Sequence, residues 1–188
     1  MPKDRGDVRG RMREAALELF QAKGYDATTA AEIASRAGVT ERTFFRHFAD
    51  KREVLFNEAE LGGRLEDAIA AAPSELGPVV AVIWSFQQLA PMFEENLKFA
   101  EPAREVIAKT PALRERQLGK AALITRTITE ALVRRGMDPQ LAGLAAATSM
   151  AVTNHGLQTW VKDPSSPLVD HFDDALEALH GTLVVGEI

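Results

Sequence analysis

Residues 29–51 read TAAEIASRAGVTERTFFRHFADK, and this stretch decides the fold of the N-terminal part of the chain. Thr29 and Glu32 have the spacing of a capping box, in which a hydroxyl and a carboxylate satisfy the free backbone amides where a helix begins. Gly38 permits a sharp turn, and Thr40 is placed to cap a second helix. Two short helices joined by such a turn are typical of a helix-turn-helix. The side chains predicted to share its core are Ile33, Ala34, Ala37, Val39, Phe44 and Phe48.

The second helix of this motif predicts a DNA-reading surface. Its outer face would carry Glu41, Arg42, Phe45 and Arg46, and in this motif the second helix lies in the major groove. Arg42 can donate two hydrogen bonds to guanine, and Phe45 can contact a thymine methyl group. Glu41 has an alternative role, because the helix dipole favours a carboxylate in the first turn.

Positive charge is concentrated at the N-terminal end of the chain. The net charge is −5, yet residues 1–52 hold 11 Lys and Arg against 8 Asp and Glu. Residues 53–188 hold 11 against 19. Because a phosphate backbone attracts positive charge locally, the basic end matters more for DNA binding than the sum does.

A wider set of residues within the first 56 positions carries a family resemblance. The set is Gly24-Tyr25, Thr28-Thr29, Ile33-Ala34, Ala37-Gly38-Val39, Thr43-Phe44-Phe45-Arg46-His47-Phe48 and Lys51. Together these residues resemble the tetracycline-repressor (TetR/AcrR) family of bacterial regulators. The resemblance implies phosphate contacts by Thr29, Thr43, His47 and Lys51, and base contacts by Glu41, Arg42 and Arg46. Two positions depart from the family pattern: Phe45 stands where Tyr is usual, and Ala31 offers no hydrogen bond to a base.

Elementary physical chemistry bears on several of these implied roles. Thr29 heads a helix whose amides favour an anion, and Thr40 joins the predicted interface as the cap of the reading helix. Lys51 is predicted to begin a helix, where a cation is unfavourable, which suggests an external partner. His47 has the alternative of being packed and hydrogen-bonded inside the protein.

Periodicity and capping signals predict an all-α protein of about nine helices. The predicted helices are 8–23, 30–37, 41–48, 51–71, 76–92, 95–108, 111–135, 139–162 and 167–184. Gly24 would end the first helix, and the predicted helix caps include Asp50, Thr110, Asp138 and Ser166. The expected organisation is a three-helix DNA-binding domain over residues 1–52, with the start of the fourth helix, followed by a helical ligand-binding and dimerisation domain over residues 53–188.

For the second domain the resemblance implies a ligand cavity among the central helices and a dimer interface from the last two. Helix 139–162 is predicted to bury one stripe made of Leu141, Leu144, Ala145, Thr148, Val152 and His155. The residues predicted to line the cavity are Trp84, Phe86, Phe93, Phe99, Thr127, Met150 and Asn154. The predicted dimer interface comprises Leu144, Val152, His155, Phe172, Leu176 and Leu179. The expected ligand is a small apolar or amphipathic molecule; the alternative is that the cavity residues are ordinary core.

Gly62 and Gly63 lie within the predicted fourth helix. Each glycine weakens a helix interior by about 1 kcal/mol relative to alanine. The pair therefore predicts either a soft point at which the helix pivots or a place where a neighbouring helix packs closely.

Several function classes are disfavoured by the same sequence. The absence of cysteine removes disulfides and thiolate chemistry and suits a reducing cytoplasm, and no secretory signal or membrane span is recognisable. No nucleophile–base pairing or glycine-rich phosphate loop points to an enzyme, and no cofactor or metal is predicted. A weak metal site among Asp170, Asp174, Glu177, His171 and His180 stays an alternative.

The sequence thus predicts a cytoplasmic, homodimeric, ligand-responsive repressor of a roughly palindromic operator in double-stranded DNA. The competing hypothesis is a DNA-binding regulator or nucleoid protein without a small-molecule switch. An all-helical enzyme is the third and weakest reading.

Overall fold

The computed structural model describes residues 8–56 and 58–183, and within them the fold is all-helical. The α-helices are α1 (Val8–Lys23), α2 (Ala30–Arg36), α3 (Glu41–His47), α4 (Glu58–Ala71), α5 (Pro78–Gln88), α6 (Ala90–Glu95), α7 (Leu97–Lys109), α8 (Pro111–Arg134), α9 (Pro139–Lys162) and α10 (Leu168–Leu183). A short 3-10 helix, Glu53–Leu55, lies between α3 and α4. Residues 57 and 184, which two of the predicted helices include, and residues 1–7 of the predicted DNA-binding domain lie outside the described residues.

The chain divides into two compact units that alternate along the sequence. The first comprises the described residues 8–56 together with 98–119, and the second comprises 58–97 and 120–183. The first unit therefore extends beyond the predicted boundary at residue 52 and includes most of α7 and the start of α8.

The first unit is built around the helix-turn-helix. Gly24 and Gly38 have φ values of +85° and +70°, and each sits at a turn that a side chain would strain. These are the two glycines at which the sequence predicts the end of α1 and the turn between α2 and α3. The buried core of the unit consists mainly of Met12, Ala16, Phe20, Ile33, Ala34, Phe44, Phe48, Val54, Ala103, Ile107 and Leu113.

The predicted helix 51–71 is wrong at its start, because α4 begins only at Glu58. Asp50 accepts a hydrogen bond from the Arg52 amide at 2.7 Å and closes a turn there. The next three residues form the 3-10 helix, and the carboxylate of Glu53 accepts two hydrogen bonds from Arg116, at 2.6 Å and 2.9 Å. A partner 63 positions away along the chain thus holds this turn in place, and local sequence signals do not reveal such a partner.

In the second unit α9 packs against α5 and α10. Gly156 permits the close approach of α10: a Cβ atom at this position would lie 2.7 Å from the ring of Phe172 and 2.9 Å from the carbonyl oxygen of His171. The predicted buried stripe of α9 mixes two faces, because Ala145 and Val152 are buried whereas Leu141, Leu144 and His155 are exposed. The buried face of α9 comprises Ala142, Ala145, Ala146, Ser149, Val152, Thr153, Gly156 and Trp160.

Two further local predictions of the second unit are corrected. The predicted helix 76–92 is two helices, α5 and α6, and Pro91 stands at the start of α6 where a missing amide is tolerated. Ser166 does not cap α10, because its hydroxyl bonds to His171 at 3.0 Å. The amide of Leu168 instead donates to the carboxylate of Glu94 at 2.9 Å, a partner 74 positions away.

Of the two predicted caps at the starts of α8 and α9, only the second is confirmed. Asp138 caps α9 as predicted, because its carboxylate accepts hydrogen bonds from the amides of Gln140 and Leu141. Thr110, predicted to cap α8, donates its hydroxyl to the carbonyl oxygen of Val106 in α7 at 2.8 Å. A threonine hydroxyl between two helices can serve either one, and here it serves the helix that precedes it.

Candidate nucleic-acid interface

The position of α3 is fixed by a cap at its first end and by aromatic packing beneath it. The amide of Thr43 donates to the Thr40 hydroxyl at 3.2 Å, which confirms Thr40 as the N-cap. Phe44 and Phe48 are buried, with ring centroids 5.3 Å apart. Because these two rings anchor one side of α3 in the core, its opposite side is turned outward.

The outward side of α3 carries the four predicted residues Glu41, Arg42, Phe45 and Arg46, all exposed. The Phe45 ring is 52% exposed although it packs edge-on against Phe44. Across residues 8–56 and 58–183, the structure gives neither Arg42 nor Arg46 a hydrogen bond or an ion pair. An exposed aromatic ring between two uncompensated guanidinium groups is a surface suited to nucleic acid.

At the start of α2 the predicted capping box is present in full. The amide of Glu32 donates to the Thr29 hydroxyl at 3.2 Å, and the amide of Thr29 donates to the Glu32 carboxylate at 2.8 Å. The ammonium group of Lys23 donates to the same carboxylate at 2.6 Å, and this hydrogen bond, with those from the Thr29 amide and hydroxyl, lowers the pKa of Glu32 to about 2. The Glu32 carboxylate therefore already occupies the start of α2, where the sequence predicts a DNA phosphate. A phosphate contact at this position would have to be made by the Thr29 side chain itself.

The structure does not place Lys51 at the start of a helix, as the sequence predicts. Its ammonium group donates to the carbonyl oxygens of Tyr25 and Thr28, at 2.8 Å and 3.0 Å. It also lies 4.1 Å from the centroid of the Tyr25 ring. The helix-dipole reasoning for an external partner is therefore wrong, and the side chain ties the loop between α1 and α2; a phosphate contact by Lys51 stays a prediction.

Thr43 and His47, the other two predicted phosphate contacts, are half-buried on α3. The Thr43 hydroxyl shares a hydrogen bond of 3.0 Å with the Thr40 hydroxyl. The His47 ring lies 6.5 Å from the Phe48 ring, centroid to centroid, and keeps part of its surface in solvent. Both side chains lie beside the exposed face of α3 and stay predicted phosphate contacts.

The predicted cavity residues do not form one group. Phe86 is buried in the core of the second unit, with the Phe93 ring 6.4 Å away, and Met150 packs against the same core. Trp84 and Thr127 are half-buried in that unit. Phe99 instead packs on the first unit, where the Arg13 guanidinium lies 4.3 Å from its ring centroid. Asn154 is exposed, because it lies on the face of α9 opposite α5 and α10.

The predicted dimer residues also fall into two sets. Val152 and Phe172 are buried within the second unit, and Leu176 and Leu179 pack partly buried against its core. Leu144 and His155 are exposed on α9. These two exposed residues belong to an exposed stripe along α9, which the predicted stripe combined with part of the buried face. The exposed stripe consists of Leu141, Leu144, Ala147, Ala151 and His155.

Two other findings bear on the sequence-based readings. Within residues 8–56 and 58–183, no three His, Asp or Glu side chains come together to hold a metal ion, so the alternative metal site in α10 is not formed there. His171 is engaged by Ser166 and Thr159. None of the helices in the described part of the chain is both long and apolar enough to cross a membrane.

The fold and the exposed face of α3 define a helix-turn-helix transcriptional regulator. The model for bacterial regulatory proteins of the tetR family matches residues 13–58. The MftR C-terminal domain model matches residues 76–184, which is more than half of the chain. The chain belongs to the TetR family of bacterial transcriptional regulators, as its resemblance in the N-terminal residues implies.

Individual relatives agree with this assignment. The regulator TcmR of Streptomyces glaucescens is 39% identical over 84 residues, 43% of this chain and 36% of TcmR. The chain thus matches little more than a third of the length of that relative. The putative mycofactocin biosynthesis transcriptional regulator MftR of Mycobacterium tuberculosis is 25% identical over 175 residues, 88% of this chain and 86% of MftR.

Two solved structures share the fold over most of this chain. The TetR-family repressor FadR of Thermus thermophilus, in complex with lauroyl-CoA, is 22% identical with a TM-score of 0.56, covering 96% of this chain and 97% of FadR. SmeT in complex with triclosan is 24% identical with a TM-score of 0.60, covering 94% of this chain and 90% of SmeT. At these identities the similarity establishes the fold.

Proposed function

We propose that the protein is a dimeric, ligand-responsive repressor that binds a roughly palindromic operator through α3 and is released by a small molecule. The observation that carries the proposal is the outer face of α3, where Arg42 and Arg46 flank the exposed Phe45. Arg42 is the base reader, because an arginine fork can donate two hydrogen bonds to guanine. This activity takes place on DNA in the cytoplasm.

The second unit is the sensor for an apolar or amphipathic ligand. Phe86 lies in the core of that unit, and Phe93 and Met150 pack partly buried against the same core; ligand sites are lined mainly by such apolar side chains. The neighbours FadR and SmeT hold lauroyl-CoA and triclosan in structures of the same fold. These two compounds are the first to test for release of DNA.

The dimer forms along the exposed stripe of α9. Leu141 and Leu144 are 58% and 66% exposed, and the small residues Ala147 and Ala151 continue the stripe toward the C-terminal end. A two-fold interface uses the same patch on both subunits, so one apolar stripe is sufficient to build it. Two α3 helices related by that symmetry would then read the two halves of a palindrome.

Fluorescence anisotropy with DNA from upstream of the protein's own gene and with a random duplex tests DNA reading. Arg42→Ala should lose roughly 1–3 kcal/mol on the upstream site and little on the random duplex. Arg36→Ala is the matched control, because Arg36 is an exposed arginine paired with Glu18 at 2.6 Å. Equal losses on both duplexes for Arg42→Ala would make Arg42 a phosphate contact instead of a base reader.

Ligand response and the sign of regulation need separate measurements. Addition of lauroyl-CoA or triclosan to the protein–DNA complex should lower the anisotropy, and deletion of the gene should raise expression of a reporter placed behind its upstream DNA. A protein that holds its DNA against every apolar and amphipathic compound tried would favour a regulator without a switch. Lower reporter expression after deletion would favour an activator.

A further inference from the structure

The guanidinium group of Arg9, near the start of α1, lies against the end of α3. Its central carbon is 4.9 Å from the centroid of the Phe48 ring, which places it in cation–π contact. Phe48 is the residue that ends α3, and its amide donates to the carbonyl oxygen of Phe44 at 2.9 Å. The Phe48 ring is also the neighbour of the His47 ring. Arg9 is therefore held beside the end of α3 that also carries His47, one of the predicted phosphate contacts.

Residues 8–56 hold nine Lys and Arg. Arg13 contacts the Phe99 ring, with its guanidinium carbon 4.3 Å from the ring centroid, and the other eight form two groups. Five donate to oxygen atoms of that stretch: Arg11, Lys23, Arg36, Lys51 and Arg52. Three have no hydrogen bond or ion pair to any residue within the described ranges: Arg9, Arg42 and Arg46. Two of these three are the arginines on the outer face of α3, and Arg9 is the third.

The environment of Arg9 fits an external anion better than an internal role. Its Nε atom is buried with no hydrogen-bond partner, so an anion outside the protein would meet its two Nη groups. The side chain as a whole is half-buried, so the guanidinium group is held in one orientation and still reaches solvent. A planar guanidinium in a fixed orientation matches the oxygens of a phosphate group, to which it can donate two parallel hydrogen bonds.

We propose that Arg9 contacts a backbone phosphate of the DNA, with Phe48 holding its guanidinium group in place. The inference rests on the proposed function, in which α3 occupies the major groove. Arg9 lies on α1 beside the end of α3 and outside the face that carries Arg42, so it contacts the backbone at the groove edge and reads no base. It therefore adds affinity that is independent of sequence.

Salt dependence of binding tests this contact directly. Each phosphate neutralised contributes about −0.9 to the slope of log affinity against log salt. Arg9→Gln should make that slope shallower by about one on the upstream and the random duplex alike, with the ratio of the two affinities unchanged. Arg9→Lys should keep most of the slope. Both replacements remove the guanidinium group from the Phe48 ring, so the difference between them isolates the charge.

Two controls separate the outcomes. Arg36→Gln removes an exposed arginine that is already paired with Glu18 and should leave the slope unchanged. Thermal unfolding of each variant reports whether the Arg9–Phe48 contact serves stability. A wild-type slope in Arg9→Gln, with normal binding by the wild-type protein, overturns the Arg9 contact alone. Failure of the wild-type protein to bind either duplex overturns the proposed function, and the inference with it.

Discussion

Replacing Leu141 and Leu144 with glutamate should convert the proposed dimer into monomers. Burying a fully exposed leucine contributes about 1.5–3 kcal/mol. Because these two side chains are 58% and 66% exposed in the single chain, each retains about 1–2 kcal/mol for an interface. A two-fold dimer buries four such leucines, so the double variant should lose about 4–8 kcal/mol of association free energy.

A loss of this size is large on the scale of a dissociation constant. Every 1.4 kcal/mol is a tenfold change, so even the lower limit weakens the dimer by on the order of a thousandfold. Sedimentation equilibrium from nanomolar to micromolar protein measures the constant directly. Operator affinity should fall in parallel, because a monomer contacts one half-site only.

Leu118→Glu is the control for the introduced charge. Leu118 is 73% exposed and lies on α8 in the first unit, whereas the stripe of α9 belongs to the second unit. It should leave the dimer intact. Substitution of Leu176 and Leu179 is a poorer test, because both pack against the core of the second unit and their loss would also destabilise that unit. A Leu141→Glu/Leu144→Glu variant that dimerises as tightly as the wild-type protein would refute the assignment of the interface to α9.

Three further predictions concern stability and coupling. Gly156→Ala should destabilise the protein by roughly 1–3 kcal/mol through overpacking. Gly143 is also on α9 but has no atom within 4 Å of an added Cβ, so Gly143→Ala should stabilise the protein by about 1 kcal/mol. Thermal unfolding of the two variants measures the difference. Glu32→Ala should lower the melting temperature at neutral pH. Because the pKa of Glu32 is lowered from 4.5 to about 2, its stabilising effect is complete above pH 4.5 and fades as the pH falls through 2, so the melting temperatures of variant and wild type should converge in acid. Replacing both Gly62 and Gly63 with alanine should raise stability by about 2 kcal/mol and blunt ligand-driven release of DNA at unchanged ligand affinity; release at the wild-type ligand concentration would exclude a pivot.

The helix-turn-helix could be predicted residue by residue because its signals are local. The capping box joins Thr29 to Glu32 within one helical turn, and Gly24 and Gly38 mark turns that require positive φ values. Phe44 and Phe48 are one turn apart on the same side of α3. Neighbours within four residues determine each of these features, so the sequence alone contains their physical cause.

The errors arise where a distant residue decides a local structure. Glu53 is held by Arg116, and the first amide of α10 is capped by Glu94. Neither partner can be identified from the sequence around the element it stabilises. The cation–π contact of Arg9 with Phe48 is another long-range contact that the sequence does not reveal, because it joins α1 to the end of α3. These long-range contacts are the reason that caps and helix starts were less predictable than the helices themselves.

Faces of a helix are a separate difficulty, and α9 illustrates it. Leu141, Leu144 and His155 recur at helical spacing, and so do Ala145 and Val152 on the adjoining face. Periodicity cannot decide which of two apolar stripes faces the core, because both satisfy the same pattern. The packing of α5 and α10 settles it: Gly156 lies on the face that α10 approaches, whereas Gly143, also on α9, has no atom near it, so a glycine alone does not mark the buried face.

The glycine pair of α4 shows how a structure narrows an alternative that the sequence leaves open. Close packing of a neighbouring helix would place atoms near Gly62 and Gly63, yet no atom of the described residues lies within 4 Å of a Cβ added at either position. Close packing is therefore wrong as the explanation, and the cost of about 1 kcal/mol per glycine has no structural return in this conformation. A helix that weakens itself without a packing gain fits a pivot, because bending there costs less than in an alanine-rich helix. Arg116 holds the chain before α4 at Glu53. A bend at Gly62 and Gly63 would therefore follow this held turn by about ten residues.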